Sequence, residues 1–560
     1  MNRRFEPQFI SVLREGYNFR LFSSDLTAGV ITGIVALPLA IAFAIASGVG
    51  PSEGFYTAII AGFIIAILSG SRVQIGGPTG AFVVMVYTII QQHGINGLAV
   101  ATIIAGIILI AMGAMRLGSF IKYIPYPVTQ GFTSGIAVVI ASTQIKPLLG
   151  LKIEEIPTEF IPKIVTCLKH VTTAESSTLL ISLLAITIIL TWPRITSRFP
   201  GSLAAIIICT LLVKIFGIET PTIGTQFGSM SSSLPVFTAP SFNYKLVSEV
   251  FPAALSIAML GAIESLLSAV VADGMTGGKH RSNMELIAQG AANIVCPFFG
   301  GIPATGAIAR TATNIKNGGK TPIAGIIHAI TLLLILMCLG KLASTIPMCV
   351  LAAILMAVAV KMSEYHMFIK MFRAPKSDVV VMLVTFLLTV LLDLTIAIPT
   401  GMVMASFLFM SRMEQVSSTI NLTTEDKDDD DERIDPFALS KFEVPDGVEV
   451  FEINGPFFFG AASKFQDDII KRNVDILILR MRKVPVIDAT GIFALEKIVT
   501  QARENGRTIL LSGINPQPLT AMKKSGLTRK ISNECIHNNI STALNHAKAL
   551  LSLKELNTEA

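Results

Sequence analysis

Two stretches carry residue types that could hold an anion: "GGPTGAFVV" at residues 76 to 84 and "GGIPATGAIA" at residues 300 to 309. Each combines Gly-Gly, Pro and Thr-Gly-Ala. Glycine lets a backbone approach a ligand closely, proline closes an extended lead-in without losing a needed donor, and Thr79 and Thr305 set hydroxyls where a helix would start. A helix start offers N–H groups without intrahelical acceptors and the positive end of the helix dipole, so it attracts negative charge. The competing reading is that both motifs are ordinary helix breakers and packing spots. Their recurrence, each time opening a short apolar run, favours binding.

A further singular residue is Glu264 in "FPAALSIAMLGAIESLLSAVVADG", the only ionisable side chain between residues 250 and 272. A charged group near the bilayer centre costs about 2.5–3.5 kcal/mol on insertion scales, so Glu264 is expected to face a cavity and to work there. Ser268, four residues on, shares its helix face. A protonatable acid, or a cation ligand, beside an anion site would couple two flows. A neutral Glu making a structural hydrogen bond is the alternative. Arg310 could add fixed charge at the site, tie its helix to a neighbour, or reach the cytoplasmic side. His328 reads as a packed core histidine and Asp393 as a cap.

The elements that must position these residues are membrane helices. The 560-residue chain is 52% hydrophobic and only 15% charged, with a mean hydropathy of +0.65, which excludes an ordinary soluble protein. The first 24 residues hold Arg3, Arg4, Arg14 and Arg20 with no cleavage site, so the N-terminus is expected to remain. Apolar segments fall near residues 27–46, 54–68, 79–91, 98–115, 123–145, 177–192, 201–217, 250–272, 284–297, 305–316, 321–341, 345–360, 378–393 and 396–411. The third and tenth of these fourteen are too short to span and follow the Gly-Gly and Pro punctuation, as half-helices would. Their matching positions imply a seven-plus-seven repeat. Seven is odd, so the second copy must be inverted, and the two half-helix starts point toward each other near the midplane. Lys and Arg crowd the loops on the side of the N-terminus, which predicts cytoplasmic termini. The six cysteines (Cys167, Cys209, Cys296, Cys338, Cys349, Cys535) form no CxxC pair and no ligand spacing, and read as apolar fillers, not metal or redox sites.

After Arg412 the composition changes. The run "TTEDKDDDDERIDP" predicts an extended, solvated linker over 413–435. Beyond it "VEVFEI", "DILILR" and "TILLSG" alternate with helical patterns near 461–472, 491–504, 516–526 and 540–552, a small α/β domain over 436–560. Residues 1–24 are expected to form a cytoplasmic N-terminal segment and 25–412 the transmembrane region. HExxH, GxSxG in a suitable context and paired acids are all missing, so an enzyme is not expected, nor is a cofactor, a metal or a nucleic-acid partner.

The motifs "DLTAGVITGIVALPLAIAFAIASG", "SRVQIGGPTGAFVV", "GAIESLLSAVVADGMTG" and "GGIPATGAIARTATNIKNGGKTPIAG" resemble the sulfate permease (SulP) anion transporters, most of all the bacterial dicarboxylate and bicarbonate branches, and the C-terminal domain resembles a STAS domain. The resemblance implies an all-α membrane domain of fourteen segments, divided into a core (segments 1–4 and 8–11) and a gate (5–7 and 12–14) that move in an elevator-like way. It also implies a homodimer in the cell (inner) membrane. By the same resemblance Thr79, Gly80 and Ala81 match the anion-binding start of segment 3, and Thr305, Gly306 and Ala307 that of segment 10. Glu264 and Ser268 match the cation-coupling positions of segment 8, with Glu favouring proton over sodium. Arg310 matches a basic residue placed near the anion in related animal exchangers. Two departures stand out: "LPLAIAF" replaces a Pro-Gln pattern common in sulfate-type relatives, and Ala489 follows Asp488 where regulatory STAS domains carry a phosphorylatable Ser. The expected function is secondary active transport of a small anion (dicarboxylate, bicarbonate or sulfate), with proton symport favoured and sodium-coupled or uncoupled flow as the alternative.

Overall fold

The computed structural model describes residues 5–119, 124–154, 156–157, 159–196, 200–228, 233–392, 394–416, 418–423, 439–458 and 474–559. Asp393, the helix expected at 461–472 and most of the acidic run lie outside them. The chain divides into two compact units, Met1–Ala405 and Ser406–Ala560.

Among the described residues the membrane region and its continuation hold fourteen segments. In order they are Phe19–Ala46, Pro51–Leu68, 83–93, 95–114, Tyr126–Leu149, Ser176–Ile195, Gly201–Phe216, Tyr244–Thr276, Ser282–Val295, Ile308–Lys316, Pro322–Ala343, Met348–Met362, Lys376–Leu391 and Leu394–Val416. Segments 3 and 4 run on from each other and break at Gly94, which leaves the helical region with φ 68° and ψ −174°. Local chemistry sets several starts. The Asn18 side chain accepts the Leu21 N–H before segment 1, Pro51 opens segment 2, and Thr321 caps segment 11 just before Pro322. Four further helices, Gln8–Glu15, Phe160–Lys169, Ile223–Phe227 and Tyr365–Met371, lie in stretches the hydropathy reading assigned to no element.

The packing repeats with a period of seven segments. Segment 4 packs on 9 as 11 packs on 2; segment 8 packs on the 3–4 helix as 1 packs on 10 and 11; segment 5 packs on 13 as 12 packs on 6. Segments 1–4 and 8–11 form one block and 5–7 with 12–13 another, with segment 1 reaching across to 5, 7 and 12. Lipid removes the hydrophobic drive for helix association, so close approach at small residues decides it. Gly106 of segment 4 and Gly290 of segment 9 meet face to face: a Cβ on either would lie within 2.6 Å of the other's carbonyl oxygen.

The second unit is an α/β layer. Strands β4 (Val448–Asn454), β5 (Ile476–Lys483), β6 (Thr508–Ser512) and β7 (Ile536–His537) pair in parallel, and β3 (Ser418–Asn421) adds an antiparallel edge to β4. Strand alternation feeds two apolar faces, one holding Phe451, Leu479 and Leu511, the other Val450, Ile478 and Leu510. Residues 418–421, expected within a solvated linker, are therefore a strand of this unit. Asp488, noted for its phosphoswitch neighbourhood, caps the helix Ala489–Glu504 by accepting the Gly491 N–H at 2.7 Å.

Candidate functional site

The two Gly-containing motifs meet. Strand β1 (Gly76–Gly77) pairs antiparallel with β2 (Thr305–Gly306), Gly76 facing Gly306 and Gly77 facing Thr305. A two-residue ribbon thus fixes the lead-ins of segments 3 and 10 against each other. From it the chain turns through Pro78 and Thr79 into the short 3-10 turn Gly80–Phe82 on one side, and into the half-helix Ile308–Lys316 on the other. The first intrahelical bond of segment 10 is Thr311 N–H to Ala307 O at 2.9 Å. The N–H groups of Ile308, Ala309 and Arg310 precede that ladder, and among the described residues none has a backbone acceptor.

Segment 8 joins both halves through one face. Gly261 O accepts from the Thr305 hydroxyl at 3.0 Å, Glu264 Oε2 accepts from the Thr79 hydroxyl at 3.2 Å, Ser265 O accepts from Gln74 Nε2 at 3.2 Å, and Ser268 Oγ donates to Thr311 Oγ1 at 3.3 Å. These four residues recur at the 0, 3, 4, 7 spacing of a single helix stripe. Thr79 and Glu264 are half-buried, whereas Ser265, Ser268, Thr305 and Thr311 are buried. The open part of the site is therefore the Thr79–Glu264 pair. Gly80, just beyond it, is buried where the two helix blocks meet: a Cβ there would lie 3.2 Å from Phe43 of segment 1 and 3.3 Å from Ile140 of segment 5.

The other expected residues have more structural tasks. Neither threonine hydroxyl caps its helix, because Glu264 and Gly261 take them. Ala307 donates its N–H to Ile75 O at 2.9 Å, leaving the donors one residue later. Ala81 is fully buried and Gly306 lies against the Gln74 side chain, with no room for a Cβ. Ser268 points at Thr311, whose hydroxyl also accepts the Ile75 N–H at 3.1 Å. Of the three readings of Arg310, the tie to a neighbour is realised: it is buried, and Nη2 donates to Pro78 O at 2.8 Å. Its Nη1 packs on Gly77, where φ is 150° and a side chain would collide with the guanidinium. His328 is fully buried, as expected of a core residue.

Sequence reasoning missed Gln74, Thr311 and Asn314. Gln74 braces segment 8, Thr311 bridges to Ser268, and Asn314 donates to Val73 O at 2.9 Å. Their signal was weak but present: polar side chains inside apolar surroundings immediately beside the Gly-Gly and Thr-Gly-Ala motifs.

Comparison with known proteins agrees with this architecture. Residues 22–385 match the Sulfate permease family model and residues 440–545 the STAS domain model. The protein YvdB of Bacillus subtilis (strain 168) is 40% identical over 535 residues, covering 95% of this chain and 98% of that one. The bicarbonate transporter BicA of Synechocystis sp. (strain ATCC 27184 / PCC 6803 / Kazusa) is 32% identical over 549 residues, 95% of each. The solved transmembrane domain of a cyanobacterial BicA superposes with a TM-score of 0.62 at 30% identity, covering 70% of this chain and 98% of that one. SLC26A9 shares the fold, with a TM-score of 0.84 at 18% identity over 98% of this chain and 93% of that one. The chain belongs to the sulfate permease family, a family of membrane anion transporters and not of enzymes, and it carries a C-terminal STAS domain.

Proposed function

We propose that this chain is a proton-coupled symporter of a small oxyanion, with the anion held between the starts of segments 3 and 10 and the coupling proton carried by Glu264. The observation that carries this reading is the Thr79 hydroxyl bonded to Glu264 Oε2 at 3.2 Å, which links the anion-facing turn directly to the acid. Thr79, Gly80 and Ala81 line the segment 3 half; Thr305, Gly306 and Ala307 shape the segment 10 half, and the N–H groups after Ala307 face the anion. Arg310 supplies positive charge while bracing Pro78. An anion beside an ionised Glu264 is repelled, and a protonated Glu264 removes that repulsion, so each ligand favours the other. Ser268 supports this face of segment 8 through Thr311.

The helix blocks support an elevator-like movement, in which segments 1–4 and 8–11 carry the site past segments 5–7 and 12–14. A homodimer in the cell membrane, with both termini cytoplasmic, is the assembly we propose. Bicarbonate and sulfate are the leading substrates, since BicA, named for bicarbonate, matches nearly the whole chain and the matching family is the sulfate permeases. Dicarboxylates are the third candidate. The test is uptake of labelled sulfate and succinate into proteoliposomes under a proton gradient, a sodium gradient or none, with labelled bicarbonate read against protein-free liposomes because permeant CO2 follows a pH gradient by itself. Accumulation that follows only the proton gradient is expected. Accumulation driven by sodium would reassign Glu264 to cation binding, and flow without either gradient dependence would make the pathway uncoupled.

A further inference from the structure

A cavity of about 170 Å³ lies away from the Thr79–Glu264 pair, where segments 1, 3, 5 and 12 converge at the face on which segment 1 ends. Its walls include Ala46, Tyr87, Thr143, Gln144 and Met348, and its roof is the helix Phe160–Lys169, which contributes Lys163. Segments 1 and 3 belong to one helix block and segments 5 and 12 to the other, so the cavity straddles the seam along which the blocks meet.

Lys163 is the anomaly. It is only 5% exposed, and among the described residues its ammonium has neither a carboxylate nor a hydrogen-bond acceptor. The nearby Lys146 differs, since it donates to Ile153 O at 2.6 Å. Burial pushes the Lys163 ammonium below the ordinary lysine value, with Cys167 one turn on acting the other way. A buried cation without a partner among the described residues costs several kcal/mol unless something in the cavity compensates it. The remaining polar groups do not: Gln144 donates to the Thr143 hydroxyl at 2.7 Å, and that hydroxyl donates to Ile140 O at 2.7 Å, which leaves amide and hydroxyl edges that stabilise charge without neutralising it. The volume holds a four- or five-atom ion with some of its water, given that one water needs about 10–15 Å³ by the same measure.

We propose that this cavity is a second site for a small oxyanion, with Lys163 as its cation, loaded from the face where segment 1 ends before the ion moves on toward Gly80. Tyr87 links the two places, since it lies in segment 3 seven residues after Gly80, whose turn leads into that helix, on the order of 10 Å along the chain direction. The site rests on anion transport by this chain and not on Glu264 being the coupling acid.

The experiment uses the full chain in orientation-sorted proteoliposomes, with labelled sulfate and labelled bicarbonate supplied to one face at a time. Lys163→Gln is expected to raise KM at the face where segment 1 ends by about tenfold or more, with kcat and the KM at the other face unchanged. Lys163→Arg should restore it, and Lys163→Glu should block entry from that face alone. Equal losses at both faces would mean that Lys163 only holds its helix in place, and unchanged kinetics would remove the site; either overturns the proposal. A second readout is acylation of Lys163, followed by mass spectrometry, with and without each anion. Protection by anion is expected in the wild type and also in Glu264→Gln, even if that variant no longer accumulates anion. Protection lost in Glu264→Gln would show that the cavity is not an independent site, while protection retained alongside failed proton coupling would refute only the role of Glu264.

Discussion

Glu264→Gln is expected to separate binding from coupling. In the folded protein Glu264 Oε2 accepts the Thr79 hydroxyl at 3.2 Å, and a glutamine oxygen can accept the same bond, so the turn at Thr79 keeps its geometry. Glutamine is neutral, as the protonated acid is, so anion affinity should stay close to that of the wild type with Glu264 protonated. Accumulation is affected far more. One proton moving down a gradient of about one pH unit supplies ~1.4 kcal/mol, a ceiling of about tenfold concentration for an anion carried one to one at zero membrane potential. The Gln variant has no proton to release, so its ratio should fall to unity while exchange of labelled for unlabelled anion continues. The assay is labelled sulfate in proteoliposomes with an imposed pH step and the membrane potential clamped to zero, compared with counterflow at equal pH on both sides. A Gln variant that still concentrates anion in step with the pH gradient would refute the coupling role of Glu264, whatever its affinity.

Three other outcomes follow from contacts elsewhere. Gly290→Val should lower the thermal stability of the membrane unit by about 1–3 kcal/mol or more, because its Cβ would lie 2.5 Å from Gly106 O; a melting temperature equal to wild type would contradict that helix crossing. Thr305→Val should cost about 0.5–1.5 kcal/mol of stability and leave coupling intact, since among the described residues its hydroxyl bonds only Gly261 O, whereas Thr79→Val should weaken anion binding by about 0.5–2 kcal/mol; parallel melting and uptake measurements distinguish the two. In the STAS domain, burial acts to raise the Glu452 carboxyl, but hydrogen bonds from Lys483 and Arg482 and the charge of Arg480 outweigh it and hold it below the ordinary carboxylate value. A carboxyl depressed on folding stabilises above its unfolded value of about 4.3 and loses that contribution as pH falls through the folded one. Unfolding of this unit in acid should therefore become less steep in Glu452→Gln, and an unchanged acid profile would show that Glu452 contributes nothing to it.

Much of this architecture is legible because hydropathy and punctuation act locally. The Pro residues at 51 and 322 and the two Gly-containing motifs mark helix starts without any knowledge of neighbours. Glu264 announces itself because an acid in an apolar run is costly wherever that run packs. What stayed hidden is either short or non-local. The helix Phe160–Lys169 is amphipathic and brief, so a spanning-length search passes over it, yet it carries Lys163. The β1–β2 ribbon has two residues per strand and joins positions on opposite halves of the repeat. The Thr79–Glu264 bond connects residues 185 positions apart, and only the packing of segment 8 brings them together.

The repeat is symmetric in its packing but not in its chemistry, and Arg310 is where the difference concentrates. On the segment 3 side Thr79 stays half-buried beside an acid; on the segment 10 side the Thr305 hydroxyl and the Ala307 N–H are both engaged within the protein, and a buried guanidinium reaches across to Pro78 O at 2.8 Å. If Arg310 acted only as a positive charge for the anion, Arg310→Lys would preserve most of its effect. If it acts chiefly by fixing the Pro78 turn, the planar fork is what matters, and an ammonium on a flexible stem cannot both reach Pro78 and fill the space against Gly77. A hydrogen bond from a charged donor contributes about 1.5–3 kcal/mol, so its loss should reduce anion affinity by roughly 10- to 100-fold. The bracing role predicts that Arg310→Lys and Arg310→Met lose affinity to a similar extent, measured as KM for labelled sulfate or bicarbonate uptake, with protein yield as the control for folding. A Lys variant with wild-type KM beside a Met variant that fails would assign Arg310 to charge alone, and the rigid turn at Pro78 would then have to be maintained by the β1–β2 ribbon without it.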